Sequence, residues 1–94
     1  DIKFIAGSDA GFRTNPVGDI VLGLRLMVEN GMSPSEAINA ATLVGAKALG
    51  LEDMLGSLEV GKLGDVIVVS KNPLQDISYL DDVEAVFKGG RKVI

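Results

Sequence analysis

The opening stretch IKFIAGSDAGF limits what this chain can fold into more than any other segment. Ile2, Phe4, Ile5 and Ala6 form a nearly unbroken apolar run rather than an alternating one. That is the pattern of a strand covered on both faces, as in parallel sheets. One such strand cannot make a sheet, so Ile2–Ala6 is expected to need partners that these residues do not supply. The same stretch raises a second question. Asp9 follows the run closely, between Gly7 and Gly11. A carboxylate at the mouth of an apolar strand is costly to desolvate unless a cation or proton meets it. Asp9 could simply sit in a solvated turn, whose geometry Asp tolerates. Alternatively, the flanking glycines let a ligand approach an acid held at a strand's C-terminal end, where active sites of parallel α/β folds lie.

After the strand, GSDAGFRTNPVG reads as a loop. Asn15 and Pro16 are suited to the N-cap and first position of a helix carrying Ile20, Val21, Leu22, Leu24, Leu26, Met27 and Val28. Those apolar residues occupy more than one face, so the helix is expected to pack on two sides. Gly31 suits a left-handed cap at its end. Ser33-Pro34-Ser35-Glu36 is a capping box with proline at the first helical position. It predicts one helix running to Gly50, with Ala37, Ala41, Val44 and Ala48 on the inner face, joined by Ile38 and Leu49. From Leu51 the character changes. GSLEVGKLGDVIVV predicts two glycine turns and a strand over Val66–Val69, and Gly89-Gly90 predicts a hairpin in DVEAVFKGGRKVI. The front half therefore reads as one β/α unit of a parallel sheet and the back half as an antiparallel sheet.

Composition closes off several chemistries. The chain has no Cys and no His. Disulfides, thiolate sites, a His general base and an imidazole-rich zinc site cannot be built from it alone. With 9 basic against 13 acidic residues and 4% aromatics, it is no nucleic-acid binder by phosphate contact or base stacking. The run DIVLGLRLMV is broken by Asp19, Gly23 and Arg25 and is too short to span a bilayer. No basic stretch followed by an apolar one opens the chain, so no signal peptide and a cytoplasmic location are expected. A hydrophobic fraction of 47% in 94 residues implies apolar faces meant for another surface. Lys62 and Asp65 read as a partly exposed pair of little energetic weight. Glu52, Asp53, Asp76, Asp81 and Asp82 read as solvated loop acids without the ligand spacing of a calcium loop.

In serial order these pieces resemble the C-terminal end of the metal-dependent amidohydrolase superfamily. The resemblance runs through FIAGSDAG, then NPVGDIVLGLRLMVENGMSPSEAINAATLVGAKALGLEDMLGSLEVGKLGDVIVVSKNPLQDI, then VEAVFKGGRKVI. It is strongest with the branch of Xaa-Pro dipeptidase and arginine carboxypeptidase type enzymes, close to the imidazolonepropionase group. It implies an α/β fold in which residues 1–52 are the last strand and helices of a (β/α)8 barrel. Residues 53–94 would then be the C-terminal strands of a companion β-sandwich. It further implies one or two divalent metals, most often zinc, and a small-molecule amide or dipeptide substrate. Asp9 is implied as metal ligand and as acceptor of the proton from the attacking water, with Gly7, Ser8, Ala10 and Gly11 as the loop beside the substrate.

The departures are equally informative. The family's other ligands, a His-x-His pair, a lysine often carboxylated and two later histidines, precede the GSD strand and are not in this chain. Val17 stands where relatives in this branch often carry His. The 94 residues are thus expected to be part of an amidohydrolase, inactive alone, with the remainder of the barrel as partner; the first residue, Asp1 rather than Met, points the same way. Alone, the chain is expected to self-associate as a homo-oligomer, to exchange elements with a second copy, or to be found only beside the rest of its enzyme. The competing reading is a non-catalytic α+β module that binds a partner through its apolar face. A carboxylate-only hydrolase of glycosidase type would need two facing acids, and only Asp9 has a suitable setting.

Overall fold

The computed structural model describes residues 20–94. The predicted strand Ile2–Ala6 and the start of the first helix at Asn15 and Pro16 lie outside the described residues. Helix α1 spans Ile20–Glu29, α2 spans Pro34–Ala41 and α3 spans Leu43–Ala48. Strand β1 (Val66–Val69) is followed by a 3-10 helix (Ile77–Asp81), then β2 (Val83–Lys88) and β3 (Arg91–Lys92).

The helix ends are set by local chemistry that the residues announce. After α1, Gly31 N–H donates to the Val28 carbonyl and Met32 N–H to the Met27 carbonyl, both at 3.1 Å. This is the paired closure of a Schellman cap, and it places Gly31 at φ 108°. The same closure recurs after α3, where Gly50 donates to Lys47 and Leu51 to Ala46. The capping box at α2 is complete. Glu36 N–H donates to Ser33 Oγ and Ser33 N–H donates to Glu36 Oε1, each at 3.1 Å.

The helix expected to run unbroken to Gly50 is instead two. It breaks at Thr42, whose backbone sits at φ −120° and ψ −93°. Thr42 Oγ1 donates back to the Ile38 carbonyl at 2.7 Å, a bond that competes with the regular ladder and bends helices. The turn at Gly56 presses on the same place. A Cβ there would lie 2.8 Å from Ala46 Cβ and 3.1 Å from Leu43 Cα. The buried face also differs from the expected one, already within α2. Ala37, Ala40 and Ala46 are buried, while Ala41 and Ala48 are exposed.

The core of the helical part is small. Leu24 of α1, Ala37 of α2 and Ile77 of the 3-10 helix are buried together, with Met27, Val28, Met32, Ile38 and Leu80 packed around them. Asp76 caps the 3-10 helix, accepting from Ser78 N–H at 3.0 Å and from Ser78 Oγ at 2.7 Å. It is exposed, as expected of a loop acid, and also has this structural task. Leu24 is the buried residue of α1, and Leu26 is 49% exposed. Among the described residues only one face of α1 is therefore covered.

The three strands form an antiparallel sheet in the order β1-β2-β3. Val66 faces Phe87 and Val68 faces Ala85, then a bulge between Val68 and Val69 shifts the register. Side chains alternate between faces along a strand. Val66, Val68, Ala85 and Phe87 thus share one face, and Ile67 and Val86 lie on the other. The first face is apolar apart from Lys92, while the second also carries Glu84, Lys88 and Arg91, and no helix packs extensively on either among the described residues. Ile67 and Val68 are 51% and 40% exposed.

Gly89 and Gly90 turn the β2–β3 hairpin with φ of 59° and 81°, the two positive values that a type I′ turn requires. The turn is tied to the entry of β1. Gly90 N–H donates to the Gly64 carbonyl and Gly89 N–H donates to Asp65 Oδ1, both at 2.9 Å. No helix among the described residues is long and apolar enough to cross a membrane.

Candidate functional site

Asp9, with Gly7, Ser8, Ala10 and Gly11 beside it, lies outside the described residues. So does Val17. The described residues bear on whether a second site competes with that loop.

The densest polar arrangement lies in the GSLEVGKLGD segment. Its two glycine turns are present as expected, with Gly56 at φ 102° and Gly61 at φ 95°. Lys62 Nζ donates to Ser57 Oγ at 2.7 Å and lies 2.8 Å from Glu59 Oε2. Ser57 Oγ in turn donates to Glu59 Oε2. The hydrogen bond from Lys62, then that from Ser57, then the Lys62 charge hold the Glu59 carboxyl below its ordinary range.

This corrects the expected pairing. Lys62 does not partner Asp65; its side chain is only 11% exposed and it serves Glu59 and Ser57. Asp65 lies 3.7 Å from Lys88 Nζ and spends its other oxygen on Gly89. Nothing in the order of letters separates these partners. The choice is made by the turn at Gly61, which folds Lys62 back over residues 57–59.

Chemically the cluster is a turn clamp. Lys62 acts as donor to both neighbours, so it offers no lone pair to take the Ser57 proton, and that proton is already directed at Glu59. A serine nucleophile would need a free base at that position. Beside the clamp is a cleft of about 510 Å3 lined by Leu43, Lys47, Glu52, Asp53, Glu59 and Lys62, among others. Glu52 Oε2 is buried and has no hydrogen-bond partner among the described residues, so Glu52 is not the solvated acid expected from the sequence. Among the described residues no three His, Cys, Asp or Glu side chains gather closely enough to hold a metal ion.

A second, more apolar groove of about 530 Å3 runs between the α2–α3 junction and β1. Leu43, Leu55, Leu58, Leu63, Val66 and Ile67 form its apolar wall. A third cleft, about 350 Å3, lies between α1 and the 3-10 helix and includes Arg25, Glu29, Asp76 and Ser78. Hydrogen bonds from the Ser78 hydroxyl and then its backbone N–H keep the Asp76 carboxyl low, with a smaller contribution from Arg25. The described residues offer no metal-binding cluster that competes with the GSDAG loop.

Comparison with known proteins places the chain. It is 45% identical over 67 residues to an imidazolonepropionase from Symbiobacterium thermophilum, an alignment covering 68% of this chain and 16% of that protein. It is 41% identical over 86 residues to an ochratoxinase from Aspergillus niger, covering 86% of this chain and 18% of that one. Among solved structures, a Xaa-Pro dipeptidase with methionine bound in its active site superposes with a TM-score of 0.87 at 46% identity. That match covers 93% of this chain and 21% of the dipeptidase. The chain thus spans about a fifth of the length of the relatives it matches. With residues 1–93 matching the family as well, the chain belongs to the Amidohydrolase family.

Proposed function

We propose that this chain supplies the closing β/α unit of a (β/α)8 barrel, residues 1–52, and the last strands of a companion β-sandwich, residues 53–94, in a metal-dependent amidohydrolase. The observation that carries this reading is the family match over residues 1–93, which takes in the GSDAG loop as well as the helices and strands behind it. The sheet supports it independently. With the face of Val66, Val68, Ala85 and Phe87 apolar and without extensive helix cover among the described residues, β1–β3 have the character of a layer that packs on another.

The donor set was weighed against a divalent metal. Asp9 is a hard anionic oxygen donor suited to zinc, but a tetrahedral site needs three or four protein ligands. The chain has no His and no Cys, and the described acids do not cluster. Asp9 would therefore hold such a cation together with ligands from the remainder of the barrel, and the 94 residues alone are inactive. A cation bound there supplies Lewis acidity and lowers the pKa of a coordinated water towards neutrality.

The contribution of this chain's own residues follows from position. Asp9, which follows the apolar run Ile2–Ala6 in the sequence, would accept the proton released when water attacks the carbonyl carbon of a C–N bond. It can return that proton to the leaving nitrogen as the bond breaks. Gly7 and Gly11, without side chains, leave room for substrate to reach it, and Ser8 and Ala10 complete a loop of small residues. The substrate class is a small amide, dipeptide or cyclic amide, in keeping with the relatives' names. A cytoplasmic location goes with this reading.

The test is hydrolysis of N-acyl amino acids, dipeptides and cyclic amides by the full-length polypeptide, before and after chelation and with zinc restored. Activity that disappears with the chelator and returns with zinc supports the proposal; activity indifferent to chelation overturns it. A non-catalytic binding module is the second reading, favoured by the apolar sheet face. It predicts no turnover of any member of the panel by the metal-replete full-length polypeptide.

A further inference from the structure

We draw no further inference here: the strongest candidate, the apolar groove of about 530 Å3 between the α2–α3 junction and β1, carries nothing because no feature of the structure identifies what covers it.

Discussion

Replacing Gly64 with alanine tests how the sheet is closed at its turn. A Cβ on Gly64 would lie 2.7 Å from the Gly90 nitrogen and 2.8 Å from Gly90 Cα. Ordinary contact begins at 3.4 Å, so the two backbones must part by 3.4 less 2.7 Å, about 0.7 Å. Both obstructing atoms are backbone, and no rotamer change relieves the overlap. The same movement stretches the Gly90-to-Gly64 hydrogen bond from 2.9 Å to about 3.6 Å, outside bonding range. Overpacking costs about 1–3 kcal/mol and the lost bond about 0.5–1.5 kcal/mol. Reduced freedom of the unfolded chain returns about 0.4–1 kcal/mol. The balance is a loss of about 2 kcal/mol. In urea unfolding, with a slope of about 1–2 kcal/mol per molar, the midpoint should fall by about 1–2 M at unchanged slope. Amide exchange at Gly89 and Gly90 should quicken, since both N–H groups are bonded across this junction. Gly61→Ala is the control. Gly61 has φ 95° but nothing within 4 Å, so its replacement strains the turn without parting the strands and leaves Gly90 exchange as it was. An unchanged midpoint and unchanged Gly90 exchange in the Gly64 variant would refute the reasoning.

Three further outcomes are expected. Ser33→Ala should destabilise by about 0.5–2 kcal/mol in urea unfolding, the usual cost of a lost N-cap, and should bring the Glu36 carboxyl only part of the way back up in an NMR titration, because the side-chain hydrogen bond is lost while the larger cause, the backbone N–H of residue 33, remains. Glu36, Glu59 and Asp76 are all lowered in the folded chain, so the unfolded state binds more protons as pH falls. Their contribution is present above the ordinary values of 4.5 for Glu and 3.8 for Asp and is lost as pH drops through the lower folded values; urea midpoints equal at pH 6 and pH 3 would contradict this. The isolated 94 residues should bind a hydrophobic dye and self-associate, since Leu58, Val60 and Leu49 are at least 75% exposed and Ile67 and Val68 of the sheet are 51% and 40% exposed. A dilute, dye-free monomer in sedimentation would count against that.

The sequence was most legible where the determining interaction spans only a few residues. Ser33 and Glu36 announce a capping box because the two hydrogen bonds that make it join residues three apart. Gly31, Gly50 and the Gly89-Gly90 pair announce themselves because the backbone there needs positive φ. Val66–Val69 reads as a strand from its β-branched run alone. The misreadings depend on contacts that no local pattern carries. LVGAKA continues a good helical sequence after INAA, yet Thr42 breaks it through a bond to Ile38 and the close approach of Gly56. Lys62 finds Glu59 instead of Asp65 because a turn folds it back. Asp65 is drawn instead to a hairpin turn 24 residues away. The family was readable because its motifs keep their serial order along the chain. The candidate site is a reading of one residue, Asp9, which lies outside the described residues, and the groups that would complete it are not in this chain.

The central claim is that Asp9 both ligates a metal and accepts the water's proton in the full-length enzyme. The most direct test is Asp9→Asn in that enzyme, with turnover of the amide and dipeptide panel measured beside bound zinc. The substitution keeps size and one carbonyl oxygen but removes the charge and the proton acceptor. Turnover should fall by about 10²–10⁴-fold or more, with weaker zinc retention and an unchanged circular dichroism spectrum. Undiminished turnover by a folded variant would remove Asp9 from the chemistry.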